Sequence, residues 1–145
     1  MAALDFKDAF LEVPQHISLS IKFAIQTLVV LKNLLGQRLG ARAWYWYLRA
    51  FLEETLQFEF CSVQPCLARA QQCVILIDVD DILYVGSRKL WDECKAKLQQ
   101  RFSISFSVWE GVGTKISFLK RRTLRAEDGF ALFPGSNIAK LIKVW

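Results

Sequence analysis

The chain has 145 residues, 53% of them apolar, 13% aromatic and 23% charged. That is a globular composition in the size range of one domain, and it excludes an intrinsically disordered chain. The longest apolar stretch, Phe23 to Leu35, is broken by Gln26 and Lys32 and falls short of the roughly 20 residues a membrane helix needs. The opening Met-Ala-Ala-Leu-Asp-Phe-Lys-Asp has no basic stretch followed by an apolar run, so no secretory leader is expected.

The 19 basic and 14 acidic residues leave a net charge of +5, compatible with an anionic partner but too mild to specify one. The cysteines are Cys61, Cys66, Cys73 and Cys94, and the single histidine is His16. No Cys-x-x-Cys pair occurs, so neither a zinc site nor a disulfide framework is expected. Reduced thiols in an intracellular protein, in a cytoplasmic particle or the nucleus, are the expectation.

In chain order, the first ten residues read as a strand, with Leu4, Phe6 and Ala9-Phe10-Leu11 apolar around Asp5, Lys7 and Asp8, ended by Pro14. Ile17, Leu19 and Ile21 alternate with polar residues as a strand does, whereas Phe23 to Leu31 is too uniformly apolar to assign by period. After a break with Gly36 and Gly40, the residues Trp44, Tyr47, Leu48, Phe51, Leu52, Thr55 and Leu56 form one stripe at helical spacing. Pro65 marks a turn before Cys66 to Ala70. The apolar runs Cys73 to Ile77 and Ile82 to Val85 flank a short acidic segment and predict a hairpin. Ser87 then suits an N-cap for a helix from Arg88 to about Arg101, with Leu90, Trp91, Cys94 and Leu98 on one face. Ile116 to Phe118 and Phe130 to Phe133 read as strands around a Glu127-Asp128-Gly129 turn, and the last ten residues as a short helix with Ile138, Leu141 and Ile142 inward. The order strand, helix, hairpin, helix, hairpin predicts a single α+β domain over residues 1–145: an antiparallel sheet with helices packed on one face.

The most informative segment is Ile77-Asp78-Val79-Asp80-Asp81-Ile82. Three carboxylates within four residues repel one another between two apolar strands, unless a cation or a set of donors offsets the repulsion. A hard dication such as Mg²⁺, held by oxygen ligands and water, does so. An ordinary acidic turn is the plainer alternative. An EF-hand is excluded, because Leu83 stands where the loop needs glycine. A strand ending in Asp-x-Asp also opens haloacid-dehalogenase-like phosphatases, which would make Asp78 the nucleophile and Asp80 the acid/base. A second acidic segment, Leu4-Asp5-Phe6-Lys7-Asp8, favours a different chemistry: if its strand lies beside the hairpin, Asp5 joins Asp80 and Asp81 in a two-metal site for nucleotidyl transfer.

At these residues the chain resembles the reverse transcriptases of copia-type retrotransposons. Leu4-Asp5-Phe6-Lys7-Asp8-Ala9-Phe10-Leu11 looks like their first catalytic motif, and Ile77-Asp78-Val79-Asp80-Asp81-Ile82-Leu83 like their Tyr-x-Asp-Asp motif. Between them, Leu31-Lys32-Asn33-Leu34-Leu35-Gly36 through Arg42-Ala43-Trp44-Tyr45 is similar to the family's Leu-Lys to Arg-Ala-Trp-Tyr signature. Pro65-Cys66-Leu67, Gly86-Ser87 and Phe118-Leu119 follow in the family's order. Asp78 stands where the family has tyrosine, Leu35 where it has an aromatic, and Gly40-Ala41 where it has Ala-Pro.

The resemblance implies a polymerase palm performing RNA-directed DNA synthesis with two Mg²⁺ ions, Mn²⁺ being a possible substitute. It implies Asp5, Asp80 and Asp81 as catalytic metal ligands. Asp8, Ala9 and Phe10 would line the nucleotide site, with Phe10 under the incoming sugar, and Gly36 would belong to the template and nucleotide motif. Leu119 and Lys120 fall in the primer grip. Lys115, Lys120, Arg121, Arg122 and Arg125 form a basic cluster, for which a solvated face is the default and phosphate-backbone contact the functional reading. The implied partners are an RNA template, a DNA primer and dNTP. The first motif begins near residue 4, so the expectation is a palm portion whose fingers, thumb or other polyprotein regions are supplied elsewhere. A catalytically dead nucleic-acid-binding remnant is the alternative.

Overall fold

The computed structural model describes residues 1–23, 25–119, 121–128 and 130–133. Among the described residues it is an α+β fold of antiparallel sheets with two helices. Strand β1 (Ala2–Phe6) is followed by a 3₁₀ turn (Ala9–Glu12) and by the hairpin β2 (Pro14–Phe23) and β3 (Gln26–Lys32). Helix α1 (Gly40–Leu56) leads into β4 (Glu59–Phe60), β5 (Leu67–Ala70), β6 (Cys73–Asp78) and β7 (Asp81–Val85). Helix α2 (Arg88–Arg101) precedes β8 (Ile104–Val108), β9 (Lys115–Phe118), β10 (Arg121–Arg125) and β11 (Phe130–Phe133).

The main sheet has six strands in the order β4-β5-β6-β7-β1-β8, and every pairing in it is antiparallel. The first strand of the chain therefore lies between two of the later ones. Burial explains why β1 takes that place. Ala2, Leu4 and Phe6 join the main core, while Ala3 faces a smaller cluster with Trp109 and Ile116, so β1 is covered on both faces. Asp5 is its exposed residue.

Both helices form as their sequences dictate. In α1 the stripe residues Trp44, Leu48 and Leu52, spaced four apart, are at most 1% exposed. Each such burial stabilises by about 1.5–3 kcal/mol. The helix stops at Gln57, which is left-handed (φ 56°) and returns its N–H to the Leu52 carbonyl. In α2 the Ser87 side chain accepts the Leu90 N–H at 3.4 Å, and Trp91 and Leu98 are the buried residues. These belong to one core with Ile75, Ile77, Ile82 and Tyr84 of the hairpin β6–β7.

Several elements differ from the sequence reading. The first strand ends at Phe6, because Asp8 turns left-handed (φ 54°) and starts the 3₁₀ turn. Pro14 begins a strand instead of ending one, and the uniformly apolar stretch is divided: Phe23 closes β2, and Gln26 to Leu31 lie in β3, the second arm of the hairpin. Near the C-terminus, β10 lies between β9 and β11, so the segment around Glu127 joins β10 to β11. The helix expected over the last ten residues lies outside the described residues. Among the described residues no helix is long and apolar enough to cross a membrane, and the four cysteines are free thiols, with Cys73 buried.

Candidate active site

Strand register gathers the acidic side chains. In antiparallel pairing, residues directly opposite share a face of the sheet. Asp78 on β6 is opposite Asp81 on β7, Asp81 is opposite Asp5 on β1, and Asp5 is opposite Ser105 on β8. The result is one lateral row, Asp78–Asp81–Asp5–Ser105, crossing four adjacent strands. The Phe6 N–H donates to the Asp80 carbonyl at 2.9 Å, which makes Asp5–Asp81 the neighbouring non-hydrogen-bonded pair. In such pairs the Cα atoms approach to about 4.5 Å.

Two donors meet this negative charge. The Ser105 hydroxyl donates to Asp5 Oδ2 at 3.3 Å. The Leu119 backbone N–H donates to the Asp81 carboxylate, and Leu119 takes a left-handed φ of 52°. They do not balance the row. The Asp81 carboxyl is held above its ordinary value by its own partial burial, then by the charges of Asp80 and Asp5, and by Asp78; the Leu119 N–H pulls in the other direction. A half-buried carboxyl surrounded by three others is a surplus of oxygen donors and negative charge, which is the donor chemistry of a hard dication. The side chains as they stand are not gathered as coordination requires: among the described residues no group of three His, Cys, Asp or Glu side chains is arranged to hold a metal ion.

The turn carrying the acids has only Val79 and Asp80 between the paired Asp78 and Asp81. Val79 is β-branched and left-handed (φ 53°), a conformation costly for such a residue. Its carbonyl accepts the Trp44 indole N–H at 2.7 Å. Neither Trp44 nor Ser105 stood out in the sequence as part of the site. The signal for Trp44 was its place on a buried stripe, since a buried indole N–H needs an acceptor. For Ser105 it was the alternation Ile104-Ser105-Phe106-Ser107-Val108.

The other sequence-predicted residues sit around this row. Asp8 is exposed, Ala9 is buried and Phe10 is half-buried at the margin of the main core. All three belong to the 3₁₀ turn region, which contacts α1 and β3. Gly36 lies between β3 and α1 with φ 87°, and a Cβ there would meet nothing within 4 Å. Its glycine answers to backbone conformation, not to close approach. Leu119 is brought to the carboxylates, Arg121 and Arg122 are exposed on β10, and Lys120 lies outside the described residues. Asp78, where the resemblance has tyrosine, takes the in-register place beside Asp81, while Asp80 occupies the turn. The alternating βα units expected of a haloacid-dehalogenase-like phosphatase after Asp80 do not occur among the described residues, where the pairings are antiparallel.

Compared with family models, with curated proteins and with solved structures, the chain matches none.

Proposed function

We propose that this chain is the palm of an RNA-directed DNA polymerase of the copia retroelement type, acting on a primer 3′-hydroxyl and dNTP. The observation that carries the reading is the placement of Asp5 directly opposite Asp81 on adjacent central strands, with Asp80 in the turn between β6 and β7. Two motifs more than 70 residues apart in the sequence thereby meet on one face of one sheet. The buried faces of α1 and α2 share a core with the alternate residues of β1, β6 and β7, which supports a palm-like layer of helices behind the sheet.

Asp5, Asp80 and Asp81 are the residues that would hold Mg²⁺ or Mn²⁺. When bound, such ions supply nucleophile activation and charge neutralisation in an in-line displacement. The chain's own groups prepare that site. The row concentrates negative charge that attracts a dication. Ser105 orients Asp5 and the Leu119 N–H orients Asp81. Exposed Arg121 and Arg122 supply charge for a phosphate backbone, and Phe10 is the residue assigned to the incoming sugar.

Primer extension on an RNA template with Mg²⁺, comparing the chain with Asp80→Asn, tests the reading. Extension that is lost in Asp80→Asn is the expected result. Equal extension by both means the Asp pair is misassigned. No extension by either, with salt-dependent retention of the primer–template, leaves the second reading: a non-catalytic nucleic-acid-binding remnant, favoured by the like-charged Asp78 beside Asp81.

A further inference from the structure

Trp44 is 0% exposed, so its indole N–H has no recourse to water and must find an acceptor within the fold. The acceptor is the Val79 carbonyl, at 2.7 Å and 35 residues away in sequence. The next carbonyl in the chain, that of Asp80, accepts the Phe6 N–H at 2.9 Å. The Phe6 ring meets the Trp44 ring edge-on at 5.1 Å, and both meet Phe102, at 5.3 and 5.7 Å. Two consecutive carbonyls of the acidic turn are thus held from one buried aromatic cluster. One of them belongs to a β-branched residue in the left-handed region, which persists only where surrounding structure imposes it.

We infer that Trp44 is a positioning residue for the acidic turn: its indole N–H fixes Val79 in the left-handed conformation and thereby sets where Asp80 and Asp81 stand. Its functional meaning rests on the polymerase reading, but the positioning itself does not. Trp44 touches neither substrate nor metal in this role. It acts through the backbone of the turn, while α1 supplies the rigid support.

Amide exchange followed by NMR on the labelled chain tests the inference with no ion present. In the native chain, the Trp44 indole proton is expected to exchange together with the amides of Asp81 and Ile82, as one cooperative unit; an indole proton about tenfold faster than those amides overturns the inference. Trp44→Phe keeps an aromatic ring and removes the donor. It is expected to speed exchange at Asp81 and Ile82 about tenfold while Leu48 and Leu52 of α1 keep their rates. Unchanged rates at the turn, or an equal rise along α1, overturn it. Val79→Gly removes the side chain that makes a positive φ costly, so in that background Trp44→Phe is expected to change the Asp81 rate by no more than about twofold. Fully additive effects overturn the inference. A separate arm adds Mn²⁺ alone: line broadening at Asp5 and Asp81 in the native chain, weakened in Trp44→Phe, supports the metal reading. Absence of broadening in the native chain overturns that reading while leaving the exchange result standing.

Discussion

Asp5 stands directly opposite Asp81 across β1 and β7. Like charges in that relationship destabilise an antiparallel pair by about 0.2–1 kcal/mol. Asp81→Asn keeps an oxygen that accepts the Leu119 N–H and removes the repulsion, so it is expected to stabilise the chain by that amount when no divalent ion is present. Chemical denaturation checks it, through a higher midpoint at unchanged slope. If the row binds Mg²⁺ as proposed, adding it is expected to raise the native midpoint and leave Asp81→Asn where it was, because a ligand stabilises only the form that binds it.

The same carboxyl gives a pH dependence with a definite sign. Folding raises the Asp81 pKa above its ordinary 3.8, through burial first and then the neighbouring Asp80 and Asp5 charges. The folded chain therefore binds this proton more readily than the unfolded chain does. The corresponding stability is fully present below 3.8 and is lost as pH rises through the raised value. Stability of the native chain relative to Asp81→Asn is expected to fall across that window as pH increases and to level off above it. A flat difference from acid to neutral pH would contradict the raised value.

What was legible in the sequence and what was not divides by range. The acidic hairpin was readable because Cys73 to Ile77 and Ile82 to Val85 are apolar runs around an acidic tip. Both helices were readable from their stripes and, for α2, from the cap Ser87. The insertion of β1 between β7 and β8 was not, because pairing partners that distant leave no local periodicity. Strand β10 carries Arg121, Arg122 and Arg125, so it shows almost no apolar signal, and it is a strand because both β9 and β11 pair with it. The motifs placed Asp5, Asp80 and Asp81 near one another. Only register shows that Asp78 is in line with Asp81 and that Asp80 is not.

Gly86, just past β7, leaves no room for a side chain against the start of β6. A Cβ there would lie 2.5 Å from the Cys73 Cβ, 2.7 Å from the Tyr84 hydroxyl oxygen and 3.0 Å from the Cys73 Cα. Cys73 begins β6 and is buried, so the backbone itself must move to admit a methyl group. Gly86→Ala is expected to cost about 1–3 kcal/mol, the usual range for overpacking. It shifts the base of the hairpin whose tip carries the acids. Thermal denaturation checks the stability loss, and a substitution that leaves the midpoint unchanged would mean that β6 and β7 are less closely apposed.

Asp78 decides how much of the row's charge is useful. It is opposite Asp81 on the side away from Asp5, and it adds to the forces that raise the Asp81 pKa. It is also the position where the resemblance has tyrosine. Asp78→Asn removes a like charge at an exposed position while keeping the side chain's size, so it is expected to stabilise the chain by about 0.2–1 kcal/mol without an ion and to lower the Asp81 pKa. Asp78→Tyr adds the aromatic ring of the resembled motif. If the row is a polymerase site, Asp78→Tyr is expected to raise primer extension above that of the native chain, and Asp78→Asn is expected to raise it less. Extension that falls in both variants would make Asp78 a needed carboxylate. The ion would then be shared by the in-register trio of Asp78, Asp81 and Asp5, with Asp80 left outside.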